Sequence, residues 1–189
     1  MSLKNDHLYF LAIAPPNDVS GQITAFKKHI QSEYGSHHAL RSPPHITLHM
    51  PFRWRLQRKE QLLQQLSLIT ENQKPFHVAL SGFDTFEPRV IFVNVLQSIA
   101  LQRCFENVKK AMRSLNILNA QYKDRPFHPH ITIAFGDLKK AQFYKAREVY
   151  KHQTYQAHFL AEELILFRHE ADSKEQQRWF VDHRFKMKG

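Results

Sequence analysis

The chain has 189 residues, 42% of them hydrophobic, with 27 Lys and Arg against 17 acids and a formal net charge of +10. This length fits one domain, or one domain of two lobes over residues 1–189, and the apolar share excludes a disordered chain. No apolar run approaches the ~20 residues of a membrane span and the first residues hold no signal-peptide core, so a soluble, cytoplasmic protein is expected, its charge suited to an anionic partner such as nucleic acid.

In chain order, HLYFLAIAPP reads as a first strand ended by Pro15 and Pro16. A helix follows from Asn17 or Asp18, either able to cap it, with Val19, Ile23, Phe26 and Ile30 on one face and a stop at Gly35. SPPHITLHMPF, Ser42 to Phe52, is a strand, and RKEQLLQQLSLITEN is a second helix with Leu62, Leu63, Leu66 and Ile69 inward. PFHVALSGFDTF and RVIFVNVL form a hairpin around Glu87-Pro88. The third helix holds the single cysteine, Cys104, at helical spacing with Leu101, Phe105, Val108, Met112 and Leu115, which reads as a packed thiol rather than a nucleophile. One cysteine allows neither an internal disulfide nor a Cys-based zinc site.

RPFHPHITIAF, Arg125 to Phe135, is again a strand, and Asp137 can cap a fourth helix, LKKAQFYKAREVYKH. The end is strand-like twice, HFLAEELILFRH and QRWFVDHRFKM, split by the polar EADSKEQ. The order β-α-β-α-β-β-α-β-α-β-β repeats one unit around both Pro-His-Ile-Thr stretches. It predicts an internally duplicated α+β fold of two lobes, each with one motif strand and two helices. Five glycines leave no Gly-rich phosphate loop.

The repeated stretch carries the chemistry. On a strand, side chains alternate, so His45, Thr47 and His49 share one side while Ile46, Leu48 and Met50 share the other. In the second copy His130, Thr132 and Ala134 oppose Ile131, Ile133 and Phe135. The aliphatic sides belong to a core and the His-Thr sides line solvent or a cleft. Two such walls supply two imidazoles and two hydroxyls around one cavity, a set suited to phosphodiester chemistry. One His accepts a proton from the nucleophile, the other gives one to the leaving oxygen, and each Thr hydroxyl donates to a phosphate oxygen as charge builds. No metal is required.

HITL at His45–Leu48 and HITI at His130–Ile133 resemble the paired motifs of the two-histidine phosphoesterases, which include the 2′-5′ RNA ligase-like proteins and the 2′,3′-cyclic nucleotide phosphodiesterases. The resemblance extends to YFLAIAPP, to Pro51-Phe52 and to FHPHITIA, and so to essentially the whole chain. It implies a bilobal fold with an antiparallel sheet in each lobe, a pseudo-twofold axis and a central cleft holding both motifs. It also implies metal-independent, cofactor-free opening of a cyclic phosphate, or cleavage or joining of a 2′-5′ linkage, on RNA or a nucleotide, by a monomer. The family roles fall on His45 and His130 as acid and base and on Thr47 and Thr132 as phosphate-oxygen donors. For hydrolysis the reading takes His130 to activate water and His45 to protonate the leaving oxygen; near-symmetry allows the reverse, and ligation swaps them.

Several relatives place an Arg shortly after the second motif, where this chain reads IAFGD. Arg53, Arg125 or Lys123 could supply that cation, or be solvated surface charges. Phe10, Phe52 and Phe127 could stack a base or pack a core. Two other readings compete: a metal hydrolase using the pairs His45/His49 or His128/His130, and a non-catalytic RNA- or nucleotide-binding module of the same fold.

Overall fold

A computed structural model of the chain describes residues 6–118, 126–171 and 177–189. Strand β1 (Asp6–Ile13) stops just before Pro15 and Pro16, neither of which can donate to a ladder. Helix α1 (Asn17–Tyr34) starts directly after them and ends at Gly35, whose φ of 72° no side chain opposes and whose N–H closes on the Gln31 carbonyl at 3.1 Å. Val19, Ile23 and Ile30 are buried, as their spacing predicts, but so is Lys27, a cation the apolar pattern does not mark. A 3-10 turn, His38–Arg41, then leads to β2 (Ile46–Arg55).

Helix α2 (Lys59–Glu71) buries Leu62 and Leu66, with Leu63 and Ile69 partly covered. Strands β3 (Phe76–Phe86) and β4 (Val90–Val95) form the expected hairpin. Helix α3 (Ile99–Ser114) begins at Ser98, whose hydroxyl accepts from the Leu101 N–H at 3.2 Å. Cys104 is buried there beside Leu101, Val108 and Met112, and burial pushes its thiol up to about 12, which leaves it an inert core group. Strand β5 (His130–Ala134), helix α4 (Lys140–Tyr150) and strands β6 (Gln156–Ala161), β7 (Glu163–Ala171) and β8 (Gln177–Lys186) complete the chain.

Three expectations are corrected. Neither Asn17 nor Asp18 caps α1, whose N-cap is Pro16 with no side-chain hydrogen bond. HFLAEELILFRH is two strands, β6 and β7, parted at Glu162, so the described residues form eight strands. Nor does Asp137 cap α4, whose N-cap is Lys139. The Asp137 carboxylate instead accepts from Ser36 Oγ at 2.6 Å and from the His37 and His38 N–H groups at 2.8 and 3.2 Å, tying the segment after β5 to the 3-10 turn before β2.

The strands form one antiparallel sheet in the order β6-β3-β4-β5-β2-β1-β7-β8. Its halves mirror one another: the motif strands β5 and β2 meet in the middle, flanked by β4 and β1. Only Glu162 separates β6, at one edge, from β7, next to the other edge. A single residue spans roughly 3.4 Å, so the sheet must curl until these strands approach. The Met187 N–H, past the end of β8, bonds the Glu162 carbonyl at 2.8 Å and closes that seam.

The core lies between the helices and one face of the sheet, where Tyr9, Leu11, Ile13, Ile46, Leu48, Ile91, Val93, Ile131 and Ile133 gather. Helix α1 packs on β5 and α4, whereas α3 packs on β2 and α2. Each half therefore covers the other half's motif strand. Burying each such aliphatic contributes about 1.5–3 kcal/mol, so the two strands are fixed from behind by helices of the opposite half.

Candidate active site

The two motifs meet at the centre of the sheet, where Ile46 and Ile131 are direct antiparallel partners. Continuing that register by one residue sets His45 opposite Thr132 and Thr47 opposite His130. Facing Cβ atoms in such a ladder lie ~4.5–5.5 Å apart and diagonal ones about 7–8 Å. The two His-x-Thr units thus interlock on the face of the sheet away from the core, each imidazole beside the other strand's hydroxyl.

The floor under both histidines is aromatic. The His45 ring lies 4.6 Å from Phe10 and 5.8 Å from Phe167, and Phe10 in turn touches Trp179 at 4.6 Å. On the other half the His130 ring lies 4.9 Å from Phe92 and 5.1 Å from Phe86. Phe10 on β1 and Phe92 on β4 occupy equivalent strands, so the support is duplicated with the motif. Each Phe stands among inward aliphatics in YFLAI or VIFVNV, the one local sign that its side of the strand is covered too.

Tautomer is set the same way in both copies. His45 Nδ1 lies 2.7 Å from the Pro43 carbonyl, and His130 Nδ1 lies 2.7 Å from the His128 carbonyl. A carbonyl only accepts, so Nδ1 carries hydrogen in each ring and Nε2 is the atom left to give or take a proton. Burial pushes the His45 imidazole down to about 4; the Pro43 bond works against this, while the charges of Lys27 and His130 add to it. His130 is lowered as well, by burial first, with the His128 carbonyl opposing and the His128 charge adding. Both rings are therefore mostly neutral near pH 7 until an anion arrives to favour an imidazolium.

His49 does not share the His45 face. The β1–β2 register slips between Ala12↔Thr47 and Leu11↔His49, and the extra residue turns His49 into the core against Phe52, rings 5.3 Å apart. There its Nδ1 meets the Met50 carbonyl at 2.9 Å, and burial takes the ring down to about 4. The second copy slips likewise between Ile91↔Ala134 and Phe92↔Thr132, which turns Ala134 into the core and leaves Phe135 exposed. Strict alternation misplaces residues in both motifs at the same position. His45 and His49 accordingly cannot serve as a ligand pair. Among the described residues, the His and Asp atoms that do gather closely, within 4.8 Å, are those of His37, His38 and Asp137, none of them a His of either motif.

The other expected contacts fall as follows. Phe10 is buried beneath His45 as packing for the ring. Phe52 belongs to the core, against Tyr9 and His49. Arg53 is exposed near the far end of β2, opposite Leu8. Phe127 stacks on Phe105 of α3 with ring centres 4.1 Å apart, and its carbonyl accepts from Gln97 Nε2. Arg125, Lys123 and Asp124 lie outside the described residues. Sequence reasoning passed over Lys27, whose ammonium donates to the Ala39 and Ser42 carbonyls at 2.9 and 3.0 Å and so braces the turn that presents Pro43 to His45.

The sheet thus sets two His-x-Thr strands side by side over an aromatic floor, a duplicated pair of imidazoles and hydroxyls. A sequence profile of the 2′-5′ RNA ligase superfamily matches residues 15–173, and the chain belongs to that superfamily. A Geobacillus kaustophilus protein bearing a provisional phosphoesterase name is 29% identical over 137 residues, covering 71% of this chain and 72% of its own. Escherichia coli LigT, solved with 3′-AMP, superposes with a TM-score of 0.72 at 17% identity over 97% of this chain and 99% of that one. A Thermus thermophilus structure gives 0.69 at 18% identity over 96% and 98%. These structures share the fold.

Proposed function

We propose that the chain is a metal-independent phosphoesterase acting on 2′,3′-cyclic phosphate ends or 2′-5′ linkages of RNA or nucleotides. The observation that carries this reading is the matched pair of Nδ1–carbonyl bonds, which leaves two Nε2 atoms as the proton-transfer positions of one site. In hydrolysis one neutral imidazole takes a proton from water as its oxygen attacks phosphorus. The other, as imidazolium, gives its proton to the leaving sugar oxygen, and the ring open phosphomonoester results. The hydroxyls of Thr47 and Thr132 donate to the non-bridging oxygens, where charge builds.

The surroundings favour His45 as the base, since burial first, and the Lys27 and His130 charges after it, oppose an imidazolium there, and His130, which no Lys charge among the described residues faces, as the acid. That is the reverse of the expected assignment, His130 activating water and His45 protonating the leaving oxygen, which the near-symmetry of the motifs allows. Nucleotide complexes of LigT with 3′-AMP, NADP+ and ATP support a nucleotide ligand for this fold. We further take the chain to act as a monomer in the cytoplasm; none of its described helices is long and apolar enough to cross a membrane. The test is to incubate chelated protein with 2′,3′-cyclic nucleotides and short cyclic-phosphate RNAs and to identify the products. Turnover that His45→Ala and His130→Ala each abolish supports the reading; activity returning only with added metal ends it.

A further inference from the structure

A cavity of about 260 Å³ lies between α1, the 3-10 turn and the start of β8. Thr24, Lys27, Arg41, Ser42, Arg178 and Trp179 line it, and none of its lining residues is acidic. Among the described residues neither arginine has a carboxylate partner. Lys27 is only 2% exposed, and its two carbonyl acceptors use two of the three ammonium donors. Burial lowers the Lys27 ammonium to about 7, and an anion in the cavity would favour its charged form and join it to the two arginines, which have no acidic neighbour in the lining among the described residues.

The cavity adjoins the reacting centre. Pro43 lines it, and the Pro43 carbonyl is the acceptor that orients His45. Trp179 lines it too, and touches the Phe10 ring that supports His45. Its volume falls below the ~300–1,000 Å³ of sites that enclose a whole small molecule, so it suits one group of a larger ligand. Guanidinium, ammonium and two hydroxyls suit a phosphate.

Resting on the phosphoesterase reading, we propose that this cavity is a subsite for a second phosphate of the substrate, so that the protein prefers a nucleotide carrying a phosphate beyond the one that reacts. A 5′-phosphorylated nucleotide or an oligonucleotide end meets this requirement, and a bare nucleoside cyclic phosphate does not. Lys27 and Ser42 form the inner wall, Arg41 and Arg178 hold the phosphate, and Trp179 flanks the sugar or base.

Two measurements on the full chain test this. In calorimetry at fixed salt, a nucleoside 3′,5′-bisphosphate should bind roughly ten- to a hundredfold tighter than the 3′-monophosphate, the scale of one charge-assisted hydrogen bond. Arg41→Ala and Arg178→Ala should erase that difference, while Arg103→Ala, on the exposed side of α3, should keep it. In turnover, a 5′-phosphate on the 2′,3′-cyclic nucleotide should raise kcat/KM through KM, and only in protein with both arginines. Equal binding of the two ligands, or a preference that Arg103→Ala weakens as much as Arg41→Ala, overturns the subsite. If neither cyclic nucleotide turns over, the phosphoesterase reading has failed, and the calorimetry still decides the subsite by itself.

Discussion

At each histidine the decisive contact is a backbone carbonyl two residues earlier. Pro43 and His128 present those carbonyls because Pro44 and Pro129 hold the preceding residue extended, a restriction that acts through sterics alone. Removing either ring should cost roughly 10²–10⁴ in turnover, and the double variant less than the product, since both act on one transition state. Thr47→Ala and Thr132→Ala should each cost about 10²–10³ in kcat measured with a cyclic nucleotide. With His45 needed neutral and His130 needed charged, kcat/KM should peak below the ordinary imidazole value of about 6.5 and fall about tenfold per unit above the His130 pKa. An alkaline optimum would contradict that pairing. Stability should move the other way. His49 is about 4 folded against about 6.5 unfolded, so between these values the unfolded chain binds more protons. Its contribution, on the order of 3 kcal/mol, is complete above pH 6.5 and is lost as pH falls towards 4. His45, also near 4, and His130, also lowered, add losses of the same sign, so urea titrations at pH 7 and pH 5 should show the combined loss and His49→Gln should reduce it without removing it.

Among the elements, the join between β5 and the 3-10 turn before β2 links the segments that flank the two motif strands. The Asp137 carboxylate takes three hydrogen bonds from Ser36, His37 and His38; burial works against its charge, yet these bonds keep it below its ordinary value. Asp137→Ala leaves two backbone N–H groups without their acceptor and should destabilise by about 2 kcal/mol or more, read as a lower urea midpoint. Gly136, just before it, has φ 77°, and a Cβ there would come within 2.9 Å of His38 Nδ1. Gly136→Ala therefore combines left-handed strain with a clash and should cost more than about 1 kcal/mol. Gly21→Ala, in the middle of α1 with open space around its Cβ, should instead stabilise by roughly 0.5–1 kcal/mol. A rise in melting temperature for both glycine variants would show that backbone strain at Gly136 is absent.

On the scale of the whole molecule, the halves share their support. Because α1 covers β5 and α3 covers β2, neither motif strand keeps a packed back if the other half opens. The Lys59–Asp182 ion pair at 2.8 Å also joins α2 to β8 across the curl of the sheet. Denaturation followed by Trp fluorescence and by far-UV circular dichroism should thus give one coincident transition. Two separated transitions would mean that the halves fold independently.

Much of this was legible in the residues. The helix faces of α1 and α3, the strand at each Pro-His-Ile-Thr and the outward His-Thr pair follow from periodicities of 3.6 and 2, which depend only on neighbours a few positions away. Doubling the motif also foretold two equivalent halves. The rest needed the folded chain. HFLAEELILFRH reads as one apolar run, and only the curl of the sheet requires it to break at Glu162. A bulge depends on the partner strand, so the turning of His49 and Ala134 into the core leaves no trace in their own sequence. The cationic cavity joins Lys27 and Arg41, on consecutive elements, to Arg178 near the other end of the chain. Side-chain chemistry and local alternation alone mark His45, Thr47, His130 and Thr132 as the candidates, because both are read from neighbours along the chain. Which of them stand together emerges only in the folded chain, because contact between distant segments depends on closure of the sheet and on what each helix finds to bury.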